Sequence, residues 1–184
     1  MLNIKALTKN GLQLLDMHSH TIISDGSQKP KDSIQMAKKL GLGLCITDHN
    51  QIKGSLSIPK NIFTLYSSEI TSSDCLDLLI YFSSASPLEE FYKKHIEKNR
   101  INEFGFKFYK TKLSTLELID YAKSFNALVV IAHPYASYPK KSYSFFNKNK
   151  ELLKKVDAVE VLNAMMSEKA NKKSITWAEE LNLP

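Results

Sequence analysis

Short apolar runs separated by longer amphipathic stretches recur from one end of this sequence to the other. That alternation constrains the fold more than any other feature. The runs sit in "LQLLDMH", "LGLCITDHN", "NIFTLYSSE", "LDLLIYF", "ALVVIAHP" and "DAVEVLN". Each has the length of a strand, and "LDLLIYF" is continuously apolar, as a strand covered on both faces must be. Between them, "KPKDSIQMAKKLG" reads as a helix, with Pro30 near its start, Ile34, Ala37 and Leu40 at helical spacing, and Gly41 as its stop. "STLELIDYAKSFN" opens with a capping box, Ser114 to Glu117. Further helices are expected over Leu88 to Lys98 and Ser167 to Leu181, with a loop in "NRINEFGFKFYKTK" and a lysine-rich segment in "SYPKKSYSFFNKNKELLKK". The pattern is that of repeated βα units on a parallel sheet, and it fits a barrel and an open doubly wound sheet equally well.

A chain of 184 residues with 43% hydrophobic content suits one domain, residues 1–184. No apolar run approaches the roughly 18 residues that span a bilayer, and the N-terminus lacks the apolar centre of a secretory signal, so no membrane partner is expected and the expected compartment is cytoplasmic. Cys45 and Cys75 have no Cys-x-x-Cys spacing, which argues against thiolate metal sites and disulfides. The formal net charge is +6, but the lysines are spread along the chain. That favours a solvated surface and an anionic substrate over a nucleic-acid groove.

Placement of the polar residues points to chemistry. In parallel α/β folds the loops after the strands converge on one mouth, and "DMHSH", "ITDHN", "SSEIT" and "IAHP" each put potential metal ligands at such an end. Four of the five histidines, His18, His20, His49 and His133, fall there, and only His95 does not. Asp16, His18 and His20 share one face of a strand, so both imidazoles can reach one ion, with Asp16 behind them to fix a ring tautomer. For the HxH pair alone, metal binding and ordinary strand-end polarity are equally good readings. Asp25 in "SDG" can be a ligand or a turn residue, and Asp48 a helix cap beside a ligating His49. Glu69 can bridge two ions or be a strand-end acid. His133 follows an apolar run where an unpartnered imidazole would be costly.

These segments, with "VDAVEVLN", resemble in order and spacing the motifs of the PHP (polymerase and histidinol phosphatase) family, from about Leu12 to Pro184. The resemblance implies an α/β fold, a distorted (β/α)7 TIM-like barrel, holding two or three divalent ions (manganese, zinc or iron) and hydrolysing phosphoesters. It implies that His18, His20, Asp25, His49, Glu69 and His133 hold the metals, and that Asn163 lies near the mouth. The chain departs from the family in two places. A histidine usual near "CLDLLIYFSS" is missing, so that either Asp77 or Ser83 takes its place or a third ion is held weakly, and the sequence stops before a C-terminal Gly-Ser-Asp-x-His motif. The expectation is therefore a barrel incomplete at its C-terminus, in a fragment of a longer protein rather than a degenerate relative.

The implied chemistry is metal-assisted hydrolysis of a small phosphorylated metabolite or nucleotide, with Asp25 or Asp48 accepting the proton of the attacking water. Arg100, the only arginine, and the lysines of "YPKKSYSFFNK" are candidates for holding the substrate phosphate. Two rivals stand beside this: an exonuclease-like activity on nucleic-acid ends, hinted at by "FGFKFYKTK", and a non-catalytic metal-binding or regulatory module. Neither substrate identity nor oligomeric state is legible.

Overall fold

The computed structural model describes residues 13–102, 109–136 and 142–184. Strands β1 (Leu15–Ser19) and β2 (Gly43–Ile46) pair in parallel. A second sheet has the order β3 (Tyr66–Thr71), β4 (Asp77–Phe82), β7 (Leu128–Ile131), β8 (Ala158–Val159). A single parallel bridge, His49 to Glu69, joins the end of β2 to β3. β1, β2, β3, β7 and β8 thus run in one direction.

β4 does not. It pairs antiparallel with both β3 and β7, which corrects the expectation of uniform βα repeats. The physical reason is length. Five residues separate Thr71 from Asp77, far short of the dozen or so that a parallel crossover needs. The fold is mixed α/β, and among the described residues no ladder joins β8 to β1, so no closed barrel is present.

The helices form where local chemistry favours them. Helix α1 (Pro30–Leu40) carries Pro30 in its first turn and ends on Gly41 at φ +67°, a left-handed stop that glycine adopts without strain. It buries Ala37 against Leu44, Ile46, Ile58 and Ile62 while Leu40 stays exposed, so its contact face is narrower than its periodicity suggests. A short helix α2 (Lys53–Leu56) precedes β3. Helix α3 (Ala85–Phe91) continues through a π-helical turn over Tyr92–Ile96.

The expected loop at 99–112 contains a hairpin, β5 (Arg100–Asn102) with β6 (Tyr109–Thr111), whose three-residue strands are too short to leave a periodic signal. Helix α4 (Thr115–Ser124) has the full capping box: the Ser114 hydroxyl accepts from the Glu117 N–H, and the Glu117 carboxylate accepts from the Ser114 N–H. Helices α5 (Ser142–Lys148), α6 (Lys150–Leu153) and α7 (Glu168–Leu181) complete the order.

The main core lies between the second sheet and helices α3, α4 and α7, around Leu78, Ile80, Leu88, Phe91, Leu118, Ile119, Val129 and Phe146. Each such side chain contributes about 1.5–3 kcal/mol of burial. The opposite sheet face carries a smaller cluster, Cys45, Leu79, Tyr81 and Ala132, beneath the site. Both cysteines are free, with Cys45 buried and Cys75 exposed. Among the described residues no helix is long and apolar enough to cross a membrane.

Candidate metal centre

The five co-directional strands deliver their polar ends to one cavity of 1140 Å³ lined by His18, His20, Asp25, His49, Glu69, His133, Glu160 and Asn163, among others. Glu69 is its centre. One carboxylate oxygen, Oε2, lies 3.4 Å from His18 Nε2, 3.1 Å from His20 Nε2 and 3.2 Å from His49 Nε2. The other, Oε1, lies 2.9 Å from His133 Nε2. At 1% exposure this carboxylate has no water to share its charge, so the four rings must supply the compensation.

Two ligand groups follow, His18–Glu69–His133 and His20–His49–Glu69, each with its donor atoms within 4.8 Å of one another. Glu69 belongs to both, the arrangement in which one carboxylate bridges two ions. The donor chemistry fits. His18 Nε2 and His20 Nε2 are 2.9 Å apart, and two imidazole nitrogens aimed at one point and at a shared carboxylate are satisfied together by a cation between them. A set of imidazole and carboxylate donors suits zinc, manganese or iron.

The electrostatics say the same. Burial by itself would lower the His18 pKa, but hydrogen bonds with Glu160 and Glu69 outweigh it and push the ring up to about 10. His20 is likewise carried against burial, by Asp25 and Glu69, to about 9. Burial pulls Glu69 upward, and the charge of His49 with the hydrogen bonds of His133, His18 and His20 overrides it, holding the carboxyl well below its usual range. Without an ion, the pocket fills its demand for positive charge with protons.

That gives a pH dependence. The folded pKa values of His18 and His20 exceed the unfolded value of 6.5, so their stabilisation is fully present below pH 6.5 and fades as pH rises through about 9 and 10. Glu69 and Asp25 shift the other way and lose their contribution only under acid. Chelator-treated protein should therefore lose several degrees of melting temperature between pH 6.5 and 9.5, while manganese-loaded protein should not, because the ion replaces the protons. A flat melting profile in chelator would contradict this account.

Each residue expected at the site has a definite place. Asp25 stands at the rim, its Oδ1 3.1 Å from His20 Nδ1 and its Oδ2 3.9 Å from His49 Nε2, and despite burial the two charged rings hold it at about 2. A carboxyl that acidic suits a ligand better than a proton acceptor. Gly26 after it is required by close approach, since an added Cβ would lie 2.2 Å from the His20 carbonyl oxygen.

Asp48 is corrected. It does not line the cavity. Its buried Oδ1 accepts from the Thr21 N–H at 2.7 Å and the Ser24 hydroxyl at 2.8 Å, and its Oδ2 accepts from the Thr21 hydroxyl at 2.8 Å. It fixes the loop that carries Asp25, and with both oxygens engaged it is not placed to take a proton from water. Asp16 is corrected too. Its Oδ1 accepts the His18 backbone N–H, at 3.3 Å, and touches no ring.

Arg100 does not line the cavity; its guanidinium lies 5.6 Å over the Tyr92 ring, in the hairpin region. Asn163 is at the mouth, donating from Nδ2 to Glu160 at 3.0 Å. Because β4 runs backwards, its first residue, Asp77, lies beside the site, 3.5 Å from His133 Nε2, and Ser83 is exposed beyond the far end. Lys140, Lys141 and residues 104–108 of "FGFKFYKTK" lie outside the described residues.

The residue that sequence reasoning missed is Glu160. Its Oε1 is 2.9 Å from His18 Nδ1, the tautomer-fixing place expected of Asp16, and its Oε2 accepts the His133 backbone N–H at 2.7 Å. His133 has φ +27°, a left-handed conformation that costs a non-glycine residue about 1–3 kcal/mol. Glu160 thus holds both histidines of one ligand group. A signal was present: an acid inside the apolar run "DAVEVLN".

The PHP domain model matches residues 16–168. No curated protein matches the chain in sequence. Among solved structures, the fold is similar to a protein from Bifidobacterium adolescentis proposed to be a metal-dependent phosphoesterase, with 18% identity, 93% of this chain and 85% of that one covered, and a TM-score of 0.63. It is also similar to an amidohydrolase from Chromobacterium violaceum with bound sulfate and no metal, with 13% identity, coverage of 92% and 84%, and a TM-score of 0.67. A lesion-specific endonuclease from Pyrococcus furiosus matches at 18% identity over 85% of this chain and 43% of its own, with a TM-score of 0.60.

Proposed function

This chain belongs to the PHP domain family, and on that premise we propose that it is a metal-dependent hydrolase of small phosphorylated compounds. The observation that carries the reading is the shared carboxylate: Glu69 stands in two adjacent ligand groups whose other members are all histidines. Divalent ions held there supply Lewis acidity, lowering the pKa of water and neutralising charge on a phosphoryl group in the transition state.

The protein's own residues do the rest. His18 and His133 would hold one ion and His20 and His49 the other, with Glu69 between them and Asp25 closing the second group from the rim. Glu160 keeps the His18 ring turned so that Nε2 faces the centre, because its carboxylate takes up the Nδ1 side. The apolar floor of Leu79, Tyr81 and Val130 keeps bulk water from screening the charges above it. Nothing in this scheme needs a serine or cysteine nucleophile.

The test removes and restores metal. Protein stripped with chelator should not hydrolyse an aryl phosphate. Titration with manganese or zinc should restore turnover as two ions bind per chain. Two bound ions without hydrolysis of any phosphoester would favour a metal-binding module without catalysis.

A further inference from the structure

The 1140 Å³ cavity has two halves. One holds the candidate metal ligands. The other runs into the gap between β1 and β8, where among the described residues no ladder joins the strands. Leu79, Tyr81 and Val130 form its floor, Met17 of β1 borders it on one side, and Leu162 and Met165, in the loop after β8, border it on the other. Leu162 is 72% exposed and Met165 89%, so two large apolar side chains stand in water at the rim of the site instead of packing into a core. Whatever covers them when the cavity is occupied gains the stabilisation that their exposure forgoes.

From this we infer that the gap is a leaving-group subsite, and that it selects phosphomonoesters of aliphatic alcohols, with the phosphate at the metal centre and the alkyl chain along the apolar floor. The inference rests on the phosphoester reading for the reaction, and on the gap alone for what is selected. In the hydrolysis, the oxygen of water bonds to phosphorus as the bond from phosphorus to the alcohol oxygen breaks. That oxygen takes up a proton from the water, so the chain leaves as a neutral alcohol and inorganic phosphate remains.

The polar groups bordering the gap do not suit a sugar as leaving group. A sugar needs partners to replace the water it gives up, and those nearby are engaged. The Tyr81 hydroxyl donates to the Met17 carbonyl at 2.8 Å. The Asn163 side chain donates to Glu160 and accepts from the Met165 N–H, and both amide atoms of Asn171 are bonded to the Asn163 backbone. Glu168 is 2.7 Å from Lys172. An alkyl chain needs none of these groups and takes its affinity from Met17, Leu162 and Met165.

Alkylphosphonates test this without turnover, because their phosphorus–carbon bond is not hydrolysed. Manganese-loaded protein is titrated calorimetrically with methyl-, butyl- and octylphosphonate. Affinity should rise about two- to fourfold for each methylene that leaves water. Leu162→Ser combined with Met165→Ser, both at exposed positions where folding does not depend on the side chain, should lower the octyl-to-methyl affinity ratio by at least about tenfold, the scale of two lost apolar contacts. Met165→Leu should keep the ratio.

Equal affinity for the three compounds, no binding of any of them, or a ratio that survives the double substitution would overturn the subsite. So would self-association that the two serine substitutions relieve without any dependence on chain length, which would give the rim to a second copy of the chain. If affinity climbs with chain length and yet neither methyl nor octyl phosphate is hydrolysed, the hydrolase reading fails and the subsite stands.

Discussion

Glu69→Gln should strip the protein of both ions and lower hydrolysis of an aryl phosphate by at least about 10³-fold, the upper end of what loss of one preorganised charge-stabilising group costs. The reason is connectivity. Every histidine of the site contacts this one carboxylate, so removing its charge removes a ligand from both groups at once. The substitution is nearly isosteric, which separates charge from shape. In metal-free protein it should also drop the pKa values of His18 and His20, because the carboxylate that holds their protons is gone. Metal content and turnover measured on the same preparation check this. A variant that keeps two ions and normal turnover would show that Glu69 is not shared between them.

Glu160→Gln should weaken metal binding by roughly 10–100-fold, the usual effect of losing a carboxylate that orients a ligating histidine. Turnover at saturating metal should stay within a few-fold of the parent, because Glu160 acts through His18 and His133 and contacts no substrate. Both are affected: His18 loses the acceptor at Nδ1, and the backbone of His133 loses the charged partner that helps hold it at φ +27°. A metal titration followed by activity separates the two effects, since a change in half-saturation alone marks positioning. Unchanged affinity would remove Glu160 from the site.

How much of this was legible depends on the range of the interaction concerned. Helix α1 with its proline start and glycine stop, and the capping box of α4, were readable because propensity and capping act within four residues. The hairpin of β5 and β6 was not, since three-residue strands carry no period. The reversal of β4 was readable in principle from the five-residue link before it, but its apolar run looked the same in either direction.

At the site, residue type and strand-end position sufficed to pick out His18, His20, Asp25, His49, Glu69 and His133, and the structure gathers all of them in one cavity. They did not suffice for the other acids. Asp16, Asp48 and Glu160 are chemically alike, and all three lie in or next to strands; only packing decides which way each carboxylate turns. Asp48 is taken up by Thr21 and Ser24, Asp16 by the His18 backbone, and Glu160 alone reaches an imidazole.

The sequence by itself therefore determined where most strands and helices lie and which donor side chain stands at each strand end, because both are written in local patterns of side chains. Only the tertiary structure decided that Glu69 is shared by four rings, that Asp77 rather than Ser83 lies beside His133, and that Glu160 supports the histidines. Those depend on how the strands pair and on contacts between residues as far as 142 positions apart, which local patterns of side chains hint at but do not specify.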